Sequence, residues 1–258
     1  MVSLRSCLKG SFPFKSKKLQ RHIRTEAWSL VCKRCESHPK EAMSWSKQNG
    51  FYEGNINTSL LPIHVACAAN APLAVFESLL QAYPESISSK ESMYGRVPLH
   101  LACIYGASLD VLKLLLSYSA KGAQEMDSTG RTPMFYLMTR DPSLEAYECL
   151  YEANPDGLKD RDMRGWLPIH VACHLGASDD VVLRMLESYP DSMNIRTAGG
   201  TLPQIKESVL TCWEKGGAWN DERDDLDCER QQSITDDDDD GDENVIFRTP
   251  SNDSSAFV

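Results

Sequence analysis

The 258-residue chain is 41% apolar and 25% charged and carries a net charge of −10, which places it among globular proteins with ample length for a core. No apolar run approaches the roughly 20 residues that cross a bilayer, and the N-terminus lacks the roughly 7–15-residue apolar centre of a secretory signal. Nine cysteines, an odd number, argue against a disulfide framework and for thiols in a reducing compartment, so the expected location is cytoplasmic, nuclear or both.

The charge is unevenly placed. Residues 1–25 hold seven basic residues (Arg5, Lys9, Lys15, Lys17, Lys18, Arg21 and Arg24) and no acid. This basic arm is expected to be disordered. Three readings of it stay open: an organelle transit peptide, a nuclear-import patch within Lys15–Arg24, or a solvated arm with no address. Residues 216–258 form an acidic tail, also expected to be disordered, in which fourteen Asp or Glu from Asp221 onward stand against three Arg. Its densest stretch, Asp236–Asp240 with Asp242 and Glu243, is kept extended by like-charge repulsion. Ser233 and Thr235 precede acids, a context that acidophilic kinases favour, and are candidate phosphorylation sites.

Between the arms, Pro62, Pro98, Pro133, Pro168 and Pro203 recur at intervals of 36, 35, 35 and 35 residues. A fixed period of this length marks stacked repeats, each able to bury its apolar face only against its neighbours. Residues 26–43, with Trp28, Leu30 and Val31 ahead of His38-Pro39, mirror the second half of a unit and predict a helical cap. Residues 44–58 predict a long loop with Trp45, Phe51 and Tyr52 among polar residues. Full units follow at about 59–91, 92–126, 127–161 and 162–196, and a more polar C-terminal cap at 197–215, where Gln204 and Ile205 follow the fifth proline.

Each unit opens with its proline in the first turn of a short helix, where the missing N–H is not needed. Ala66-Cys67, Ala102-Cys103 and Ala172-Cys173 then let that helix lie close against another, and Gly106 and Gly176 end it. A longer second helix follows, striped at three- and four-residue steps as in Val111, Leu112, Leu115 and Leu116. Ser108, Ser143 and Ser178 are placed to cap its first amides, and Pro84, Pro155 and Pro190 stop it, with Ala120 in that place ahead of the third unit. Tyr94-Gly95-Arg96, Asp127-Ser128-Thr129-Gly130 and Asp162-Met163-Arg164-Gly165 are turns between units.

Helix pairs opened by Pro-Leu/Ile-His-x-Ala and preceded by Asp-x-x-Gly resemble ankyrin repeats. Residues 162–176, DMRGWLPIHVACHLG, carry the pattern well, and residues 91–106 nearly so. The Tyr-Pro-Glu/Asp-Ser endings are similar to those of ankyrin-like proteins of diatoms and related algae. The resemblance spans roughly residues 26–215 and implies an all-α, ankyrin-type helix-turn-helix solenoid. It also implies that His64, His100 and His170 bridge backbone groups of adjacent turns, a structural role. Phe135 stands in that place in the third unit, which is therefore expected to be the weakest link, with residues 127–157 opening before 162–190 in hydrogen exchange. Cys32-Lys33-Arg34-Cys35 with His38 is the only metal-like spacing; with no second ligand pair it reads as core, and neither metal nor cofactor is expected. No phosphate loop, serine elbow or kinase signature appears, so the chain reads as no enzyme.

The resemblance further implies that turn tips and the exposed side of the first helices hold a protein partner. Carried over position by position, the tips are Met93, Tyr94 and Arg96; Ser128, Thr129 and Arg131; and Met163, Arg164 and Trp166. The helix positions are Ile104, Tyr105, Met138, Thr139, His174 and Leu175. Aromatic residues, Met and Arg dominate interface cores. Arg96, Arg131 and Arg164 form a ladder suited to an acidic partner or to the chain's own acidic tail; the alternative is that the tips pack on neighbouring turns. The expected function is a monomeric adaptor or scaffold. Its rivals are a substrate-recruiting or regulatory subunit of an enzyme complex, and a nuclear regulator with weak nucleic-acid contact through the basic arm, which the acidic tail opposes.

Overall fold

Proline at N1 after an extended N-cap residue sets the first helix of every full unit. In the computed structural model, which describes residues 18–52 and 57–215, the order is α1 (Lys18–Arg24), α2 (Trp28–Ser37), a hairpin of β1 (Ser46–Asn49) and β2 (Asn57–Leu60), and then helix pairs. The pairs are α3 (Pro62–Ala68) with α4 (Leu73–Ala82), α5 (Pro98–Tyr105) with α6 (Leu109–Tyr118), α7 (Pro133–Leu137) with α8 (Leu144–Ala153), and α9 (Pro168–Leu175) with α10 (Asp179–Ser188). A last helix, α11, covers Glu207–Glu214.

The first helices end on left-handed residues. Gly106 and Gly176 have φ of 70° and 75°, and the equivalent places in the first and third units are taken by Asn70 and Asp141 at φ 48° and 47°. Asn and Asp enter this region at less cost than other side-chain-bearing residues. The prolines after the second helices do more than stop them: Pro84, Pro155 and Pro190 each open a short 3₁₀ turn, and Ala120 opens one without proline. Of the three serines placed to cap, only Ser143 does so, accepting from the Ala146 N–H at 3.3 Å; Ser108 and Ser178 make no side-chain cap bond.

Like helices stack on like. Helices α3, α5 and α7 form one layer, which α9 joins through the 3₁₀ turn Met138–Arg140; α2, α4, α6, α8, α10 and α11 form the other. One apolar core runs between the layers, including Leu61, Val65, Leu79, Leu101, Leu112, Tyr147, Ile169 and Leu186. This is the expected ankyrin-type helical solenoid, and among the described residues a two-stranded hairpin is its only sheet. No helix among the described residues is long and apolar enough to cross a membrane.

Three expected boundaries move. Lys18–Arg24, inside what was expected to be a disordered 1–25 arm, form a helix because α1 has an apolar face: Leu19 and Ile23 are fully buried. Gln20, also buried, donates to the Ser44 and Leu60 carbonyls at 3.3 Å, and Glu41 accepts the Leu19 N–H at 3.0 Å while pairing with Arg34. Residues 44–58 are no plain loop, since Ser46–Asn49 pair antiparallel with Asn57–Leu60. Pro203 opens no helix: the chain stays irregular until Glu207. The His that accepts the N-cap amide elsewhere is replaced, and Asp179 instead draws Lys206 (2.7 Å) and Ser208 (3.0 Å) onto the start of α10. The remainder of the basic arm, residues 1–17, and the acidic tail with Ser233 and Thr235 lie outside the described residues.

Candidate partner-binding face

Each turn between units is built on one acceptor side chain at its start. Glu91 takes the N–H groups of Met93 (2.7 Å), Tyr94 (2.7 Å) and Arg96 (3.2 Å). Asp127 takes those of Thr129 (2.8 Å) and Arg131 (3.2 Å), and Asp162 those of Arg164 and Trp166 (2.9 Å each). In the final turn a hydroxyl does this work, with Thr197 accepting from the Thr201 N–H at 3.1 Å. Backbone bonds join one tip to the next: Ser128 donates to Tyr94, Met163 to Thr129 and Ala198 to Arg164 at 2.7, 3.1 and 3.0 Å. Gly165, at φ 73°, lies so close to the following turn that a Cβ there would meet the Ala198 nitrogen at 2.8 Å. The tips therefore form one continuous edge.

Two of the expected ladder arginines do not present themselves on that edge. Arg96 is 1% exposed and donates from Nε to Asp127 at 3.0 Å and from Nη2 to the Tyr136 hydroxyl at 2.7 Å. Its guanidinium carbon also lies 4.3, 4.7 and 5.2 Å from the ring centres of Tyr94, Tyr136 and Tyr52. Arg131, 8% exposed, repeats the design on Asp162 at 3.0 Å. Burial opposes charge on Arg96, but the hydroxyl groups of Tyr136 and Tyr52 and the Asp127 carboxylate overcome it and hold the guanidinium above its usual range. Burial likewise opposes the Asp127 carboxylate, and the bonds from Thr129, Tyr136 and Arg96 still hold it below its ordinary value. The arginines tie each turn to the next; they are not a docking ladder. Arg164 is exposed.

The histidines act as the resemblance implies. Nδ1 of His64, His100 and His170 accepts the N–H of Leu61, Val97 and Leu167 at 3.0, 3.3 and 3.1 Å. The opposite nitrogen then carries the proton, and donates to the carbonyls of Ser89, Arg131 and Ile195 at 2.9, 3.1 and 3.1 Å. Burial pushes the pKa of His64 and of His100 down to about 4, and that of His170 also down. In the third unit Phe135 is buried apolar surface, and the polar staple has moved one residue on. The Tyr136 hydroxyl donates to Asp127 at 2.5 Å and accepts from Arg96. The premise of a weak third unit, a unit with no polar tie, therefore does not hold.

Cys67 and Cys103 are core residues, with Cys67 donating to the Pro98 carbonyl at 3.3 Å. Cys35 is buried, and burial pushes its thiol up to about 12, while Cys32 points to the Ala74 carbonyl at 3.7 Å. No metal-holding group of His, Cys, Asp or Glu occurs among the described residues.

The remaining candidate residues divide into a covered half and an open half. Phe51 and Tyr52, from the segment that bears the hairpin, are 5% exposed. Tyr52 meets Tyr94 edge-on at 4.9 Å, and Phe51 meets Tyr105 edge-on at 6.4 Å. The cleft between turn tip and first helix in the second unit is thus filled from within, and Met93, Tyr94, Ile104 and Tyr105 are only partly exposed. In the first unit every residue of α3 is buried. Among the described residues the fourth unit has no such cover: Met163 is 79% and Leu175 44% exposed, and His174 is exposed beside the half-buried Trp166, their rings edge-on at 5.6 Å. Sequence reasoning missed the filling segment, whose only signal was an aromatic pair in a polar stretch.

The family model for ankyrin repeats matches residues 63–156, in three copies. Among solved structures, the chain is similar to the ankyrin repeat domain of Bcl-3, described as a unique member of the IkappaB protein family. The TM-score is 0.56 and the identity 17%, with 80% of this chain and 86% of that chain covered. No curated protein matches the chain in sequence.

Proposed function

With residues 63–156 established as ankyrin repeats within an ankyrin-type stack, we propose that this protein-interaction module is a non-catalytic adaptor or scaffold that grips its partner with the fourth unit. The observation that carries the reading is the exposure of Met163, His174 and Leu175 together, beside a half-buried Trp166. Trp166 occupies the place of Arg96 and Arg131, and Thr197 the place of Asp127 and Asp162, so the charged tie between turns is replaced by an aromatic side chain. An aromatic ring beside Met and Leu is the composition of an interface hot spot. Against a nucleic-acid role through the basic arm stands the folding of Lys18–Arg24 into a helix with Leu19 and Ile23 inside.

Affinity purification with wild type and a Met163→Ala/Trp166→Ala/Leu175→Ala variant tests this. A partner lost in the variant, with helical circular dichroism unchanged, supports the fourth-unit face. A partner retained by the variant places binding elsewhere and rejects the reading.

A further inference from the structure

The bend at Phe51 and Tyr52 provides an internal template for how this stack holds a pair of apolar side chains from another segment of the chain. Phe51 and Tyr52 sit in the second-unit cleft between the tip residue Tyr94 and the helix residue Tyr105, edge-on to both, with Arg96 beneath Tyr52 at 5.2 Å. The tip and the proline-opened first helix that wall this cleft in the second unit recur in the fourth. Moved on by two periods, its walls become Arg164 in place of Tyr94, Leu175 in place of Tyr105 and Trp166 in place of Arg96, with Met163 at the rim. That cleft lacks an aromatic pair of its own and has gained positive charge: Arg161 and Arg196, at the same place in successive turns, are both exposed alongside Arg164. Asp162 is buried on Arg131 and Asp179 is held by Lys206, while the half-buried Asp160 and the exposed Asp180 offset part of this positive charge. The fourth-unit cleft therefore calls for an extended segment in which acids lead into an apolar anchor.

The chain itself contains one: Asp236–Asp240, Asp242 and Glu243, followed by Val245-Ile246-Phe247. Helix α11 packs on α10 of the fourth unit and ends at Glu214, so this segment is tethered at the correct end of the stack. The chain between Lys215 and Asp242 reaches up to about 90 Å when extended, ample to return across a neighbouring unit. A tethered segment also binds at high effective concentration.

We propose that the segment Asp236–Phe247 seats in the fourth-unit cleft of its own chain, acids toward Arg161, Arg164 and Arg196 and Val245-Ile246-Phe247 against Trp166 and Leu175, and that a partner must displace it. The proposal rests on the fourth unit being the partner face. Phosphorylation of Ser233 or Thr235 adds charge beside the acidic run and strengthens the closed form.

The test uses the full chain with a benzophenone amino acid in place of Met163 and, in a second protein, in place of the exposed Tyr118 at the end of α6. The expected result is an intrachain crosslink from position 163 to the 236–247 peptide. It should be lost when Asp236–Asp240 are changed to Asn and in about 1 M salt, where screening acts within about 3 Å. No such crosslink is expected from position 118. Absence of the crosslink, equal crosslinking from both positions, or a product joining isotopically light to heavy chains overturns the proposal. Partner capture by the triple-alanine variant separates the two readings: a missing crosslink with capture still lost in the variant rejects the tail and keeps the face, while a crosslink with capture retained rejects the face as the partner site and, with it, displacement.

Discussion

Replacing Arg96 with Met keeps the length and much of the volume of the side chain and removes its charge. What remains is the Asp127 carboxylate, whose side chain is fully buried, still bonded to the Tyr136 hydroxyl and to Thr129 and the Arg131 N–H, but without a counter-charge. Removing one member of a buried pair costs about 3–5 kcal/mol because the other stays desolvated and uncompensated. Contacts with the Tyr52, Tyr94 and Tyr136 rings are lost as well, but they overlap with the same desolvation and are not added. For a folded region of this size, about 2–4 °C per kcal/mol gives a fall in Tm of roughly 6–20 °C. Urea melts followed by helical circular dichroism measure the loss, with Met163→Ala as a surface control expected within about 0.5 kcal/mol of wild type. The pairing is confirmed as a unit if Arg96→Met/Asp127→Leu is clearly more stable than the sum of the two single variants. A loss below about 1 kcal/mol for Arg96→Met, or strict additivity, refutes the buried tie and returns Arg96 to the list of surface anchors.

Two further outcomes follow from the polar staples. His64 and His100 have folded pKa values of about 4, below the ordinary His value of about 6.5. The unfolded chain therefore binds protons first as pH falls. Their contribution is complete above about pH 6.5 and is lost through the window down to about pH 4, amounting to about 2 kcal/mol for each histidine at pH 5. Urea midpoints that stay level between pH 7 and 5 would refute this. Tyr136→Phe deletes the hydroxyl that joins Arg96 to Asp127 and is expected to cost about 1–3 kcal/mol, with amide protection lost chiefly across residues 127–157. If those residues already exchange faster than 162–190 in wild type, Tyr136 does not replace the missing histidine.

The helices were legible because their signals are local: a proline at N1, a left-handed Gly at the end, and a stripe at helical spacing all act within a few residues. The histidine bridges were legible through their repetition. The fate of the arginines was not, because the partner of each lies 31 residues away and a single arginine in a turn looks solvated. The clue was present as a pattern: Arg96 with Asp127 and Arg131 with Asp162 share one spacing, and the next pair at that spacing, Trp166 with Thr197, loses both charges together. Nor was it legible that Pro203 would fail as a helix opener. Proline permits a first turn without enforcing it, and a missing histidine does not by itself decide the outcome, since Pro133 opens α7 with Phe135 in that place.

The filling segment and the charge ties bear on one question, which is where along a nearly periodic object a partner can bind. A perfect stack would offer the same cleft several times and bind in several registers. Here the first helix of the first unit is wholly buried, the cleft of the second is filled by buried Phe51 and Tyr52, and α7 of the third is buried throughout, as is Met138 after it. Arg140, in the place of Tyr105, is turned back onto the Ile104 carbonyl at 2.6 Å. At the fourth unit the tie between turns gives way to Trp166, whose ring rests on His170 and His174 and not on a carboxylate in the following turn. Register is thus set by what the earlier units have used up: among the described residues, the charged ties and buried aromatic residues of the N-terminal half give way at the fourth unit to the exposed Met163 and Leu175.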